Sequence, residues 1–320
     1  MGKKNTNISN LRTLIIGCTP LARKVIQCAK EESNFVGAVN LHPDLGLSKS
    51  NYDDLIDICD PFFTKDINNK ETEEWIKQRE PDVIIQCGWS QIFKSNILKI
   101  PKRYCLGIHP SPLPEGRGAA VLNWKILESG GNPIPWGNSL FIMEEKTDTG
   151  AILEFRPFVI EPRDDIRTIY HKVDQTAVDM VRMAILKITS RLESKLPQDN
   201  TLATRYYKRS PEDGKIDLSW SATKINDYVR ALTHPYPGAF VETKFGKLCL
   251  WQTSTDICKV HGTPGLVCAI AKGKGVLVKV ADFKCVWLER ISLDGIEMWA
   301  DEWAITTGVG LKVGENLIER

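Results

Sequence analysis

The chain has 320 residues, of which 42% are hydrophobic, and its formal net charge is +2. This length fits two domains, and the hydrophobic content is enough to build ordinary cores. The small charge excludes the strong basic field that is typical of nucleic-acid-binding proteins, and no apolar run is long enough to span a bilayer. We therefore expect a globular protein without a nucleic-acid partner and without membrane insertion.

Nine cysteines are scattered through the chain, and no Cys-x-x-Cys motif occurs. An odd number without that spacing predicts neither a disulfide framework nor a zinc site, so we expect no metal. Most of the cysteines lie within apolar runs, where cysteine packs as a small core residue. This usage favours the reducing cytoplasm as the location of the protein.

The first part of the chain alternates between strand-like and helix-like segments, after a polar stretch at 1–10 that predicts a disordered leader. Buried strands are predicted at 11–18, 35–41, 81–87 and 104–108. Helices are predicted at 21–30, 52–58, 68–79 and 165–192, and the polar stretch 195–204 is interpreted as a linker. This alternation predicts an α/β domain over 11–204 with a doubly wound, mostly parallel sheet.

A rigid loop follows the predicted strand that ends near His109. The loop has prolines at 110, 112 and 114, and because proline fixes φ and lacks an N–H donor, this segment can be neither helix nor inner strand. An α/β protein places its chemistry at such strand ends, although a lone histidine is more often satisfied by a backbone carbonyl. Asp148 lies in a turn between two predicted strands, where an aspartate by itself is more typical of backbone capping.

Together, these two segments resemble the formyltransferase family that uses N10-formyltetrahydrofolate. That family has a strand ending in Asn-x-His, a Ser-Leu-Leu-Pro-like loop with a downstream Arg-Gly, and an Asp-x-Gly turn further on. The chain has His109, the proline loop, Arg117-Gly118 and Asp148-Thr149-Gly150 at the matching places. The resemblance implies that His109 and Asp148 are catalytic and that N10-formyltetrahydrofolate is the co-substrate.

The family's asparagine, which would stabilise the oxyanion, is replaced here by Gly107. Losing one such donor typically lowers the rate on the order of a hundredfold. Asn138 and Asn123 are the side chains that could replace it, and a water above Gly107 is a third alternative. A glycine at this position is also expected to widen the cleft, which would admit a different acceptor.

The resemblance implies further contacts with the folate and with the acceptor. The folate is expected at Cys87, Gly88, Trp89, Ile92, Met143, Glu144 and Asp148. Candidate acceptor ligands are Ser111, Arg117, Arg209, Arg230 and Tyr236. Arginines could hold a diphosphate, but Ser111 and Arg117 could equally stabilise the loop, Arg230 could be a solvated helix residue, and Tyr236 could be buried.

Residues 205–320 predict a second, smaller domain. Short apolar runs alternate with glycine turns between 248 and 291, a pattern typical of a small antiparallel barrel. The blocks 209–214 and 235–240 resemble aminoarabinose formyltransferases, and the resemblance implies that the barrel is OB-like.

The resemblance implies an enzyme, and we expect a sugar N-formyltransferase that acts on the amine of a nucleotide-linked amino sugar. A homodimer is an expected assembly. Methionyl-tRNA formyltransferase is the alternative, but the small net charge and the absence of a basic insertion after Leu41 argue against tRNA binding. A folate-fold binding protein without catalysis is a third hypothesis, motivated by Gly107.

Overall fold

The computed structural model describes residues 9–281, 283–306 and 310–318. The predicted leader at 1–10 lies outside these residues except for its last two, which begin the first strand. The chain forms two compact units: the second contains the residues from Lys208 onward together with Leu122–Ile134 and Ile160–Ile169, and the first contains the remainder. The domain boundary expected between 204 and 205 stays a prediction.

The elements up to Tyr206 alternate between strands and helices. The strands are β1 (Ser9–Ile16), β2 (Ser33–Leu41), β3 (Phe62–Thr64), β4 (Val83–Gln86), β5 (Tyr104–His109), β6 (Arg117–Gly118), β7 (Ile134–Ile142), β8 (Ile152–Ile160) and β9 (Arg205–Tyr206). The helices are α1 (Pro20–Glu32), α2 (Pro43–Gly46), α3 (Lys70–Gln78), α4 (Ser95–Leu98), α5 (Val121–Leu127) and α6 (Ile166–Ser190), with a 3₁₀ turn at Asn200–Leu202.

The first unit is built around a seven-stranded sheet in the order β3-β2-β1-β4-β5-β7-β8. The strands from β3 to β5 pair in parallel, and β7 runs antiparallel to β5. Successive residues of β1 enter different buried clusters: Ile15 belongs to one, and Leu14 and Ile16 belong to the other. Apolar side chains on both faces are typical of a covered parallel sheet, so the predicted doubly wound α/β fold is confirmed.

The segment 52–58 was expected to be helical, and this prediction is wrong. Asp53 Oδ1 accepts a hydrogen bond from the backbone N–H of Leu55 at 3.1 Å, and Asp54 Oδ1 accepts one from Ile56 at 3.2 Å. Such local bonds offer the backbone a turn in place of a helix.

The second unit is dominated by an antiparallel sheet, as predicted. Its elements from Lys208 onward are a 3₁₀ turn (Pro211–Gly214), α7 (Ala222–Leu232), β10 (Ala239–Thr243), β11 (Gly246–Asp256), β12 (Val267–Ala271), β13 (Gly275–Lys279), β14 (Cys285–Leu293), β15 (Ile296–Trp299) and α8 (Ala300–Thr306). The strand order is β10-β11-β14-β13-β12, and β15 pairs with β14. The OB-like description stays a prediction. Across the described ranges, no helix is long and apolar enough to cross a membrane.

Candidate active site

His109 is the last residue of β5, and only 7% of it is exposed. Its Nε2 lies 2.7 Å from the carbonyl oxygen of Gly116, and because a carbonyl can only accept, Nε2 carries the hydrogen. The histidine is therefore satisfied by a backbone carbonyl at one nitrogen only. In the neutral ring, Nδ1 keeps a free lone pair and can act as a base.

Asp148 lies beside that free nitrogen. Its Oδ1 is 3.9 Å from Nδ1 of His109, and both side chains are about nine-tenths buried. The other carboxylate oxygen, Oδ2, accepts the backbone N–H of Gly118 at 2.8 Å, which orients the group. A proton taken up at Nδ1 would therefore lie next to a fixed negative charge with little solvent to screen it. The pair is suited to removing a proton from a substrate.

Ser111 stabilises the loop that follows β5. Its hydroxyl is fully buried and donates to the carbonyl oxygen of Glu115 at 2.7 Å. Ser139, on β7, donates to the carbonyl of Ser111 at 2.7 Å and accepts the N–H of Leu113 at 3.2 Å. Of the two roles expected for Ser111, the structure shows the one within the loop.

The position of the missing asparagine is filled from the neighbouring strand. Gly107 is opposite Phe141 in the β5–β7 register. A Cβ at 107 would lie 2.8 Å from Cε1 of Phe141 and 3.1 Å from Cγ of Met143. Phe141 is 4% exposed and packs in a cluster with Leu113 of the loop. The expectation that the glycine widens the cleft is therefore wrong.

Asn138 is directed away from His109. Ser139 is opposite His109 in the antiparallel register, so the preceding residue points to the other face of the sheet. There Asn138 Nδ2 donates to the carbonyl oxygen of Val173 at 3.1 Å and to Oγ1 of Thr176 at 3.3 Å. Asn138 is fully buried in that position, and its proposed role as an oxyanion donor is not supported by the geometry.

Arg117 and the turn of Asp148 are joined by Gln198, a residue that the sequence did not single out. Oε1 of Gln198 accepts from Nε and Nη2 of Arg117 at 3.2 and 2.7 Å. Its Nε2 donates to the carbonyl oxygens of Asp148 and Gly150 at 3.0 and 2.7 Å. Gln198 lies in the stretch interpreted as a linker, where no periodic pattern marks an individual polar residue.

The predicted folate positions are partly brought together. Trp89 is 8% exposed, and it belongs to a buried cluster against which Met143 packs. Gly88 has φ +65, and a Cβ there would lie 2.1 Å from Oγ1 of Thr19, so the glycine permits close packing. Cys87 is fully buried, which raises the pKa of its thiol. The remaining two positions, Ile92 and Glu144, are exposed. Folate binding by these residues stays a prediction.

Arg230 is not available to hold a diphosphate. It is 7% exposed, its Nε donates to Asp227 Oδ1 at 2.9 Å, and its Nη1 donates to the carbonyl oxygen of Asp164 at 2.9 Å. Its Nη2 donates to the hydroxyl of Ser129. Both the diphosphate role and the solvated-helix alternative are therefore wrong, because the guanidinium is buried and all three nitrogens are paired within the second unit.

The other predicted positions of the second unit also have partners. The guanidinium of Arg209 lies 4.4 Å from the ring centre of Trp124, and its Nη2 donates to the carbonyl oxygen of Asp213 at 2.7 Å. Tyr236 is half-buried, and its backbone N–H donates to Thr233. Asn123 donates its amide to a backbone carbonyl of α7 at 2.7 Å. The roles of Arg209 and Tyr236 in acceptor binding stay predictions.

All nine cysteines are free thiols. Three of them, Cys258, Cys268 and Cys285, lie together, with 3.8 Å between the sulfurs of Cys268 and Cys285. Burial raises the pKa of Cys285, so its thiol is poorly reactive at neutral pH. Within the described residues, no group of three or more His, Cys, Asp or Glu side chains is placed to hold a metal ion.

The chain is similar to proteins of known families along both units. The model of the family "Formyl transferase" matches residues 22–185, and "Formyl transferase, C-terminal domain" matches 208–307. The bifunctional polymyxin resistance protein ArnA of Wigglesworthia glossinidia brevipalpis is 30% identical over 206 residues, which are 64% of this chain and 31% of that protein. Methionyl-tRNA formyltransferase of Malacoplasma penetrans is 25% identical over 301 residues, which are 92% of this chain and 93% of that protein.

Solved structures share the fold at lower identity. HypX from Aquifex aeolicus in complex with tetrahydrofolic acid has a TM-score of 0.66 at 20% identity, covering 98% of this chain and 51% of that one. The N-formyltransferase from Helicobacter canadensis in complex with folinic acid and dTDP-3-aminofucose has a TM-score of 0.61 at 14% identity, covering 87% of this chain and 98% of that one. The chain spans about half of HypX and less than a third of ArnA. Because the first family model alone matches more than half of its residues, the chain belongs to the formyl transferase family, whose enzymes transfer formyl groups carried by formyl-tetrahydrofolate.

Proposed function

We propose that this chain is a sugar N-formyltransferase, which moves a formyl group from N10-formyltetrahydrofolate to the amine of a nucleotide-linked amino sugar. The observation that carries the chemistry is the buried pair of His109 and Asp148. An amine that attacks the formyl carbon must lose a proton, and a positioned base accelerates that step about 10²–10⁴-fold. Nδ1 of His109 accepts the proton, and Asp148 stabilises the charged ring.

The surroundings of Gly107 strengthen this electrostatic arrangement. Phe141 and Met143 fill the place of a side chain there, so the wall beside the pair is apolar. Charges interact more strongly where water and mobile dipoles are excluded. The hypothesis of a binding protein without catalysis is thus not needed to explain the glycine, because packing of Phe141 accounts for it.

The acceptor class is inferred from charge and from one related structure. The small net charge of +2 offers little to a polyanion such as tRNA. The N-formyltransferase from Helicobacter canadensis, which shares this fold, is complexed with dTDP-3-aminofucose. Methionyl-tRNA formyltransferase is the second candidate, since a protein of that name matches over 92% of this chain. The homodimer and the cytoplasmic location stay predictions.

The test is an absorbance assay of tetrahydrofolate release from N10-formyltetrahydrofolate, with UDP-, dTDP- and GDP-linked amino sugars and Met-tRNA as separate acceptors. We expect release that depends on one amino sugar and disappears in His109→Ala. Release with Met-tRNA alone would assign the second candidate. Folate binding without release by any of these acceptors would contradict a transferase.

A further inference from the structure

We propose that Arg117 and Arg205 form a site for a phosphate group of the acceptor beside the turn of Asp148. The inference rests on the proposed function, because it requires an acceptor that carries phosphate. It names two arginines, one from β6 and one from β9, that are neighbours in the first unit.

Arg117 is a buried cation without a carboxylate partner. It is 6% exposed, and among the described residues its guanidinium donates to the amide oxygens of Gln198 and Asn200. None of the described residues accepts a hydrogen bond from its Nη1. Buried charges in proteins are normally paired, because the loss of hydration is otherwise uncompensated. An open donor on such a group points to a partner from outside the chain.

Arg205 adds a second positive charge at the same place. Arg117 and Arg205 are opposite each other in the parallel β6–β9 pair, so their side chains leave the same face. The strands approach closely, since a Cβ at Gly118 would lie 2.1 Å from the carbonyl oxygen of Tyr206. Arg205 is exposed, and within the part of the chain that the structure describes its guanidinium makes one long hydrogen bond of 3.4 Å, to the carbonyl oxygen of Thr147.

The two charges disfavour each other in the free protein. Burial and the neighbouring Arg205 both lower the pKa of Arg117, and the smaller influence of the Asp148 carboxylate raises it. An anion between the guanidinium groups would remove this repulsion and would accept charge-assisted hydrogen bonds from both.

A phosphate of the acceptor fits this place better than the carboxylates of the folate tail. Gln198 links Arg117 directly to the backbone of Asp148, so the anion would lie close to the reacting amine. In a nucleotide-linked amino sugar, only the sugar ring separates the amine from the diphosphate. In the folate, the whole aminobenzoyl group separates the formyl nitrogen from the nearest carboxylate.

The test is calorimetric titration of the full chain with UDP, dTDP and GDP, and separately with folinic acid. The variant is Arg205→Gln, an exposed position where folding is not at risk. Arg191→Gln is the matched control, because Arg191 is also exposed and directly follows α6. The end of α6 lies away from the candidate site: Thr189 bonds to Ser9 at the amino end of β1, whereas His109 lies at the carboxyl end of β5. Arg117→Lys, checked for folding by its melting temperature, is the second variant.

We expect Arg205→Gln to weaken binding of the preferred nucleoside diphosphate about tenfold or more and to leave the affinity for folinic acid unchanged. The control variant Arg191→Gln should bind both ligands as wild type does. Loss of folinic acid affinity alone would overturn the proposal and assign the anion to the folate. Unchanged nucleotide binding in Arg205→Gln would overturn the site but not the proposed function. A wild type that binds none of the three nucleotides, yet formylates Met-tRNA, would overturn the proposed function and this inference with it.

Discussion

Among the described residues, each of the two units buries one arginine, and the two arginines differ in the groups that surround them. Arg230 and Arg117 are 7% and 6% exposed, so both have lost nearly all their hydration. Arg230 is paired with the carboxylate of Asp227, and all three of its nitrogens are bonded. Among the described residues, the guanidinium of Arg117 donates to amide oxygens through Nε and Nη2, and its Nη1 has no acceptor. The charge of Arg230 is thus neutralised within its own unit, whereas the charge of Arg117 is left for the phosphate proposed above.

The largest effect should come from removing the proposed catalytic side chains of the unit that contains Arg117. We expect His109→Ala or Asp148→Asn to lower the rate of formyl transfer about 10²–10⁴-fold, because the base or its counter-charge is lost. Single-turnover transfer measures the rate, and circular dichroism with thermal melting measures the fold. Near-normal transfer by either folded variant would sink the assignment of this pair.

Removing Arg230 from its hydrogen bonds with Asp227, Asp164 and Ser129 should instead lower the stability of the fold. Arg230→Met leaves the buried carboxylate of Asp227 without a cation, and we expect a loss of about 3–5 kcal/mol in the free energy of unfolding. Urea unfolding measures it. We expect Asp227→Asn to be destabilising as well, because it leaves the buried guanidinium of Arg230 without its carboxylate. An Arg230→Met variant as stable as wild type would remove the contrast.

The same variant makes a prediction about pH. Removing Arg230 takes away the charge and the hydrogen bond that most lower the pKa of Asp227, so its folded-state pKa rises further above the ordinary 3.8. A carboxyl with a raised folded-state pKa contributes most stability below its unfolded pKa and loses that contribution as the pH rises through the folded value. We therefore expect the stability gap between wild type and Arg230→Met to widen as the pH rises from the raised folded-state pKa of Asp227 in wild type towards its still higher value in the variant. A gap that is constant with pH would contradict this.

A smaller effect should distinguish the two contacts of Gln198, one with Arg117 and the other with the turn of Asp148. We expect Gln198→Ala to lower kcat roughly ten- to a hundredfold, because the turn of Asp148 loses two donors worth about 1–3 kcal/mol together. Asn200→Ala is the matched control, since Asn200 supports Arg117 alone, and we expect it to raise KM for the acceptor with little change in kcat. Equal effects of both variants on kcat would show that Gln198 does not position Asp148.

The smallest effect is expected at Gly107, where Phe141 fills the place of a side chain. We expect Gly107→Asn to cost about 1–3 kcal/mol of stability through overpacking against Phe141, without raising the rate. Gly107→Ala separates the clash from the amide, and Phe141→Ala provides a background with room for the asparagine. A faster Gly107→Asn enzyme with unchanged melting temperature would show that only a donor was missing.

The fold class could be predicted from the sequence because hydrophobic periodicity and the positions of proline and glycine are local signals. Alternating strands and helices predicted the parallel sheet, and the prolines predicted the rigid loop after His109. The segment 52–58 failed for a local reason too, since its aspartates bond to the backbone two residues on. The prediction for Asn138 was wrong because Ser139, the next residue, is the one on the same face as His109. The register with β5 is set by pairing between distant segments, which the local sequence does not show.

The partners of charged residues could not be predicted in the same way. Arg230 looked available for a ligand because its position on an amphipathic helix says nothing about Ser129 or Asp164, which are far away in sequence. Gln198 looked like part of a linker, since a polar stretch has no pattern that marks the residue facing a buried charge. Such contacts depend on tertiary placement, and only the folded chain shows them.

The bond between Nε2 of His109 and the carbonyl of Gly116 has a stereochemical consequence. A half-turn of the imidazole would place a carbon against that carbonyl, so the ring keeps one orientation and exchanges protons at Nδ1 alone. Under the proposed function, the attacking amine would give its proton to Nδ1 on the side of Asp148. The loop thereby sets which nitrogen of His109 would exchange the proton, and on which side of the ring.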